Sequence, residues 1–93
     1  MLEWTDRVPA AFFDLHGQTV LEAVANAERF LASQAKSRPG EVVRIITGRG
    51  RGGQGAPIRT RVRTMLRRLE TEGRLIRDFV LEDSEGSFLV RLK

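Results

Sequence analysis

Ninety-three residues, 41% hydrophobic and 30% charged, suit one small globular domain whose core can fold alone but leaves no room for a second lobe. The chain has no cysteine, which rules out disulfides, thiolate metal sites and a cysteine nucleophile and suits a reducing compartment. The net charge of +4 is modest, so its distribution matters more than its sum.

From residue 49 to residue 69 there are seven arginines (49, 51, 59, 61, 63, 67 and 68) and no acid. The acids sit in the flanking segments, chiefly residues 14–41 and 70–85. A single positive region on a nearly balanced chain implies a polyanionic partner meeting one face. No apolar run approaches the roughly 20 residues of a membrane span. The opening Met1-Leu2-Glu3-Trp4-Thr5-Asp6-Arg7 lacks the apolar centre of a signal peptide. A cytoplasmic protein with no membrane partner is expected.

Residues 1–10 carry Leu2, Trp4, Val8 and Pro9 without periodicity and read as an N-terminal tail, ahead of a domain spanning residues 11–93. Residues 11–16 form a strand candidate closed by Gly17. Alternation turns Phe13 and Leu15 to one face and Phe12, Asp14 and His16 to the other. A helix follows. Thr19-Val20-Leu21-Glu22 is a capping box, and Val20, Val24, Ala27 and Leu31, widened by Ala23 and Phe30, mark its buried stripe. The helix fades near Ser37, before a Pro39-Gly40 turn.

Residues 41–47 give a second strand, apolar on both faces and therefore central. After the glycine-rich stretch 48–55, Pro57 fits the first turn of a helix, because its missing N–H is not needed there. Ile58, Val62, Met65, Leu66 and Leu69 hold this helix to the sheet, the arginines cover its remaining surface, and Gly73 stops it. Residues 74–81 and 88–93 read as a terminal hairpin turning at Asp83-Ser84-Glu85-Gly86. The order is β-α-β-α-β-β, and a right-handed first crossover makes the first two strands parallel. The expected class is α/β in the broad sense, an α+β two-layer sandwich with a four-stranded mixed sheet and two helices.

Gly48, Gly50 and Gly53 match a dinucleotide-binding glycine pattern. Two features argue against that use. The chain lacks the six-stranded scaffold, and the turn follows the second strand rather than the first. No Gly-Lys-Ser/Thr follows, so the loop is not a P-loop. A strand running into a glycine loop and a helix N-terminus is nonetheless an anion-binding arrangement, here with arginines in and behind the loop.

These residues carry a resemblance. Phe13-Asp14-Leu15-His16-Gly17, the Thr19-x-x-Glu22 helix start, Ile45-Ile46-Thr47-Gly48-Arg49-Gly50 and the arginine helix together resemble the small MutS-related (Smr) domain over residues 12–93. That family is marked by L-D-x-H ending its first strand and H/T-G-x-G ending its second. Asp14 and His16 match the first motif, with Phe13 in the leucine position. Thr47, Gly48 and Gly50 match the second, with Arg49 in its variable position. The resemblance implies a fold similar to the C-terminal domain of bacterial translation initiation factor three. It also implies nucleic-acid binding, often with endonuclease activity as DNA nicking or RNA cleavage. One departure stands out: many stand-alone members place a His-Ser pair where this chain has Gly52-Gly53.

Asp14 and His16 can supply a carboxylate and an imidazole general acid or base at one strand end. Arg49, Arg51, Arg59 and Arg63, with Thr47, Gly48 and Gly50, would receive the phosphates and stabilise developing charge. The plainer use of the first pair is structural, with Asp14 bracing the turn at Gly17. One histidine and scattered acids do not make a transition-metal set and no cofactor is assigned, while a water-rich Mg²⁺ bound partly by Asp14 stays open. Two readings follow: an endonuclease acting on DNA or RNA, and a DNA-, RNA- or ribosome-binding module that does not cut. A protein-interaction module using the acidic hairpin is a third. Oligomeric state is not readable.

Overall fold

A computed structural model gives the fold and describes residues 3–48 and 55–93. The elements are β1 (Ala11–Asp14), α1 (Val20–Ser37), β2 (Val42–Ile46), α2 (Gly55–Glu72), β3 (Ile76–Leu81) and β4 (Ser87–Leu92), preceded by a short 3₁₀ turn at Trp4–Asp6. The four strands form one mixed sheet in the order β1-β2-β4-β3. β1 runs parallel to β2 with Asp14 opposite Ile46, while β4 is antiparallel to both β2 and β3.

Each helix starts and stops where local chemistry directs. The Thr19 hydroxyl accepts from the Glu22 backbone N–H at 3.2 Å, and the Glu22 carboxylate accepts from the Thr19 N–H at 3.0 Å. Two otherwise unpaired helix donors are thereby satisfied. Those hydrogen bonds, from the Thr19 backbone first and its hydroxyl second, hold the Glu22 carboxyl below its ordinary pKa. Helix α2 ends in a Schellman motif: Gly73 takes φ +68°, its N–H reaches Glu70 O, and the Arg74 N–H reaches Leu69 O.

Both helices cover one face of the sheet. Ala23, Ala27 and Leu31 of α1 and Ile58, Val62, Met65, Leu66 and Leu69 of α2 close over Val43, Ile45, Phe88, Val90 and Leu92. Leu15 and the half-buried Phe13 join this core from the first strand and its exit, Phe13 lying 5.2 Å from Phe30. The sandwich read from the sequence is the one observed.

The helix-free face carries two bidentate ion pairs, Arg44–Glu82 and Arg91–Asp78. The N-terminal stretch is tied to the amino end of this face. Arg7 donates to Gly40 O, Ala10 N–H to Val42 O, and the Trp4 ring lies 5.4 Å from the Arg91 guanidinium.

The strand bounds of β2 and β4 lie within one residue of the sequence reading, and two boundaries differ by two residues. β1 stops at Asp14 rather than reaching His16, because the Asp14 carboxylate captures the His16 backbone N–H and bends the chain. β3 begins at Ile76 rather than at residue 74, because Arg74 completes the helix cap and Leu75 follows with φ +65°.

Candidate nucleic-acid interface

The parallel pairing of β1 and β2 decides what can meet. Asp14 lies opposite Ile46, and the Leu15 N–H still donates to Ile46 O at 2.8 Å, so the two strands end side by side. His16 therefore leaves β1 at the same edge at which Gly48 leaves β2. The turn between β3 and β4 joins them there. The Gly86 carbonyl accepts the backbone N–H groups of both Thr47 and Gly48, at 2.8 and 3.0 Å.

Asp14 and His16 are both exposed. Asp14 Oδ1 accepts from the His16 backbone N–H at 2.9 Å, so its carboxylate is engaged with the turn and not with the imidazole. The turn is held further by Gln18, whose N–H reaches Leu15 O and whose amide oxygen accepts from Asn26 of α1 at 2.8 Å. His16 thus sits on a braced turn with its ring turned out of the core. Asp14 retains a second carboxylate oxygen. Among the described residues, no group of three or more His, Asp or Glu side chains converges as a metal site.

Thr47 and Gly48 occupy the expected edge in a different role. Thr47 is 1% exposed, and its hydroxyl lies 3.2 Å from Gly48 O and 3.4 Å from Gly86 O. The Gly48 N–H is spent on Gly86 O, and Gly48 takes φ +86°. Both residues therefore tie the end of β2 to the hairpin. Arg49, Gly50 and Arg51, with Gly52 and Gly53, lie outside the described residues.

Arg59 donates to Glu85 O at 3.1 Å, which carries the first turn of α2 to the same hairpin. Arg63 follows one turn later, and with Arg67 it borders a shallow cleft against Phe79, Val80 and Leu81 of β3. Among the described residues, no carboxylate lies within ion-pair distance of Arg61, Arg63 or Arg67. Arg68 differs: it is held by Glu28 of α1 at 3.0 Å and Glu72 at 3.7 Å. The basic surface of α2 is therefore graded, with Arg63 and Arg67 open on the β3 side and a neutralised Arg68 facing α1.

A second cleft on the helix-free face, beside Gly48, is lined by Arg44, Ile46, Glu82, Ser84 and Ser87. Burial pushes the Glu82 carboxyl up, but hydrogen bonds from Arg44 and Ser87 and the Arg44 charge outweigh it, so its pKa is lowered. Neither the Glu82 cluster nor the Gly86 anchor figured in the sequence reading. The anchor is a backbone oxygen, to which no side-chain pattern points.

The site is thus an α+β sandwich in which a histidine turn and a glycine exit share one end of the β1–β2 pair, while α2 carries Arg63 and Arg67 beside β3. The chain belongs to the Smr domain family, whose model matches residues 13–93. That family is associated with nucleic-acid binding and nuclease activity. Among solved structures, the Smr domain of Thermus thermophilus MutS2 is similar, with a TM-score of 0.71 and 26% identity, covering 90% of this chain and 99% of that one. No curated protein matches the sequence. Among the described residues, no helix is long and apolar enough to cross a membrane.

Proposed function

We propose that this Smr domain is an endonuclease that binds a DNA or RNA backbone along the β1–β2 carboxyl edge and α2, with His16 as the proton-transfer group. The observation that carries the reading is the shared edge: exposed His16 and the Gly48 exit lie on adjacent parallel strands, and Arg59 brings the first turn of α2 to the hairpin that holds Gly48, on a helix whose Arg63 and Arg67 have no acidic partner among the described residues. Arg49 and Arg51 enter the proposal from the sequence alone.

In the proposed reaction the neutral imidazole takes a proton from an RNA 2′-hydroxyl or a water. The freed oxygen forms a new bond to phosphorus while the bond to the leaving oxygen breaks, and that oxygen receives a proton from the imidazolium or from solvent. Arginine charge stabilises the extra negative charge on the phosphoryl oxygens. Asp14 acts by setting the His16 turn.

A binding module that does not cut is the second reading, favoured by Gly52-Gly53 and by the absence of a carboxylate on the His16 ring among the described hydrogen bonds. Labelled single- and double-stranded DNA and RNA, incubated with and without Mg²⁺, separate the two. Wild type is expected to release product and His16→Ala to release none while binding normally. Equal product from both proteins would leave only the binding module.

A further inference from the structure

We propose that Arg63 and Arg67 form a second phosphate subsite, set across the sheet from His16, so that the ligand is a polynucleotide long enough to reach both places and not a mono- or dinucleotide. The inference rests on the nucleic-acid reading above and adds to it the minimum reach of the ligand.

The strand register carries the separation. Asp14 lies opposite Ile46, Ile46 lies opposite Ser87, and the Glu82 N–H donates to Ser87 O at 2.9 Å. These four residues make one row across the sheet, from β1 at one edge to β3 at the other. Three strand spacings separate the two edges, which is about 14 Å. β3 runs in the same direction as β1, since β4 is antiparallel to both β2 and β3. The cleft bordered by Arg63 and Arg67 lies against Phe79, Val80 and Leu81, the residues of β3 just before that row. A single phosphate at His16 is therefore out of reach of either guanidinium.

The charges about the cleft favour a phosphate at these two arginines. Among the described residues, neither has a carboxylate within ion-pair distance. Glu70 lines the same cleft further along α2 and disfavours an anion at that end. On the α1 side Arg68 is already neutralised by Glu28 and Glu72. In the other direction α2 has no acid back to residue 55, and Arg59, one turn before Arg63, donates to the turn whose Gly86 oxygen holds Gly48. A strand lying along this stretch meets Arg63 and Arg67 with phosphates other than the one at His16. Both arginines are positioning residues: they fix which phosphate of a longer strand falls at His16 and take no part in bond breaking.

The test follows the backbone amides of the full ¹⁵N-labelled chain by NMR at low salt. The ligands are the single-phosphate dinucleotides dTpT and UpU and mixed-sequence single-stranded 12-mers of DNA and RNA. With wild type, a 12-mer is expected to shift the His16 and Gly48 amides and the Arg63 and Arg67 amides with one common affinity. Arg63→Ala combined with Arg67→Ala should weaken the 12-mer about ten-fold or more and leave the dinucleotide's affinity at His16 and Gly48 unchanged. Arg63→Lys combined with Arg67→Lys keeps the charges and should retain most of the 12-mer affinity. A dinucleotide weakened as much as the 12-mer at His16 overturns the proposal, because one phosphate would then touch both places. So does 12-mer binding that the alanine pair leaves unchanged, or 12-mer shifts confined to one of the two groups. In each of these cases wild type still binds, and nucleic-acid binding itself stands. Failure of wild type to bind a 12-mer of either kind overturns the nucleic-acid reading and this inference with it.

Discussion

Asp14 holds His16 by its main chain: Asp14 Oδ1 accepts the His16 backbone N–H at 2.9 Å, and the imidazole stands free of the carboxylate. An asparagine keeps an acceptor oxygen at that position and loses only the charge. Asp14→Asn is therefore expected to retain most cleavage, whereas Asp14→Ala loosens the turn, costs about 0.5–1 kcal/mol in urea unfolding and lowers the rate at least ten-fold. Equal loss in both variants would mean that the charge itself acts on the imidazole or on a bound cation.

Thr47→Val separates a structural hydroxyl from a phosphate ligand. The side chain is 1% exposed and directed at two carbonyl oxygens. Valine should cost roughly 1 kcal/mol by urea unfolding and leave DNA or RNA affinity within two-fold. A fall in affinity at unchanged stability would place the hydroxyl on the ligand.

The arginines of α2 should divide by partner. Arg63→Ala and Arg67→Ala are each expected to reduce the salt dependence of log K by about 0.7–0.9, according to whether the ligand is single- or double-stranded. Arg68→Ala should change it less, because Glu28 and Glu72 already neutralise that side chain. Titrations of duplex and single strand across a range of salt concentrations give all three slopes, and a larger effect from Arg68 than from Arg63 would reverse the assigned face.

Glu82 makes a pH-dependent contribution whose sign follows from its lowered pKa. A carboxyl bound more tightly as the anion in the folded state adds stability above its unfolded pKa, and that stability is lost as pH falls through the folded value. Wild type should therefore weaken progressively below about pH 4.3. Glu82→Gln should be less stable than wild type at pH 7, and the gap between them should shrink on acidification. Urea midpoints at pH 7, 5, 4 and 3 decide it, and a gap that widens in acid contradicts the assignment.

Most of the fold was legible because its signals are local. The Thr19–Glu22 box, the stripe from Ala23 to Leu31, Pro57 at the start of α2 and Gly73 at its end each act within a turn or two. The elements that join at the site were legible only in part. Strand adjacency followed from the crossover rule, but the Gly86 oxygen that gathers Thr47 and Gly48 lies 39 residues from Thr47. Arg44 and Glu82, 38 residues apart, find one another only once β4 has intervened. Leu75 at φ +65° carries no residue-type signal, so the delayed start of β3 could not be read. Alternation alone extended β1 to His16, and it took the Asp14 hydrogen bond to end the strand two residues sooner.

Trp4 is the chain's only tryptophan, and it rests against Arg91 at the amino end of β2, away from the edge where His16 and Gly48 emerge. Its emission is thus an internal optical gauge of whether the leading residues stay fastened to the sheet. Because Arg91 is itself anchored by Asp78, Asp78→Asn should alter that signal with no oligonucleotide present. A bound strand at the opposite end should leave it undisturbed, so peeling of the leading segment and occupancy of the edge can be followed separately in one cuvette.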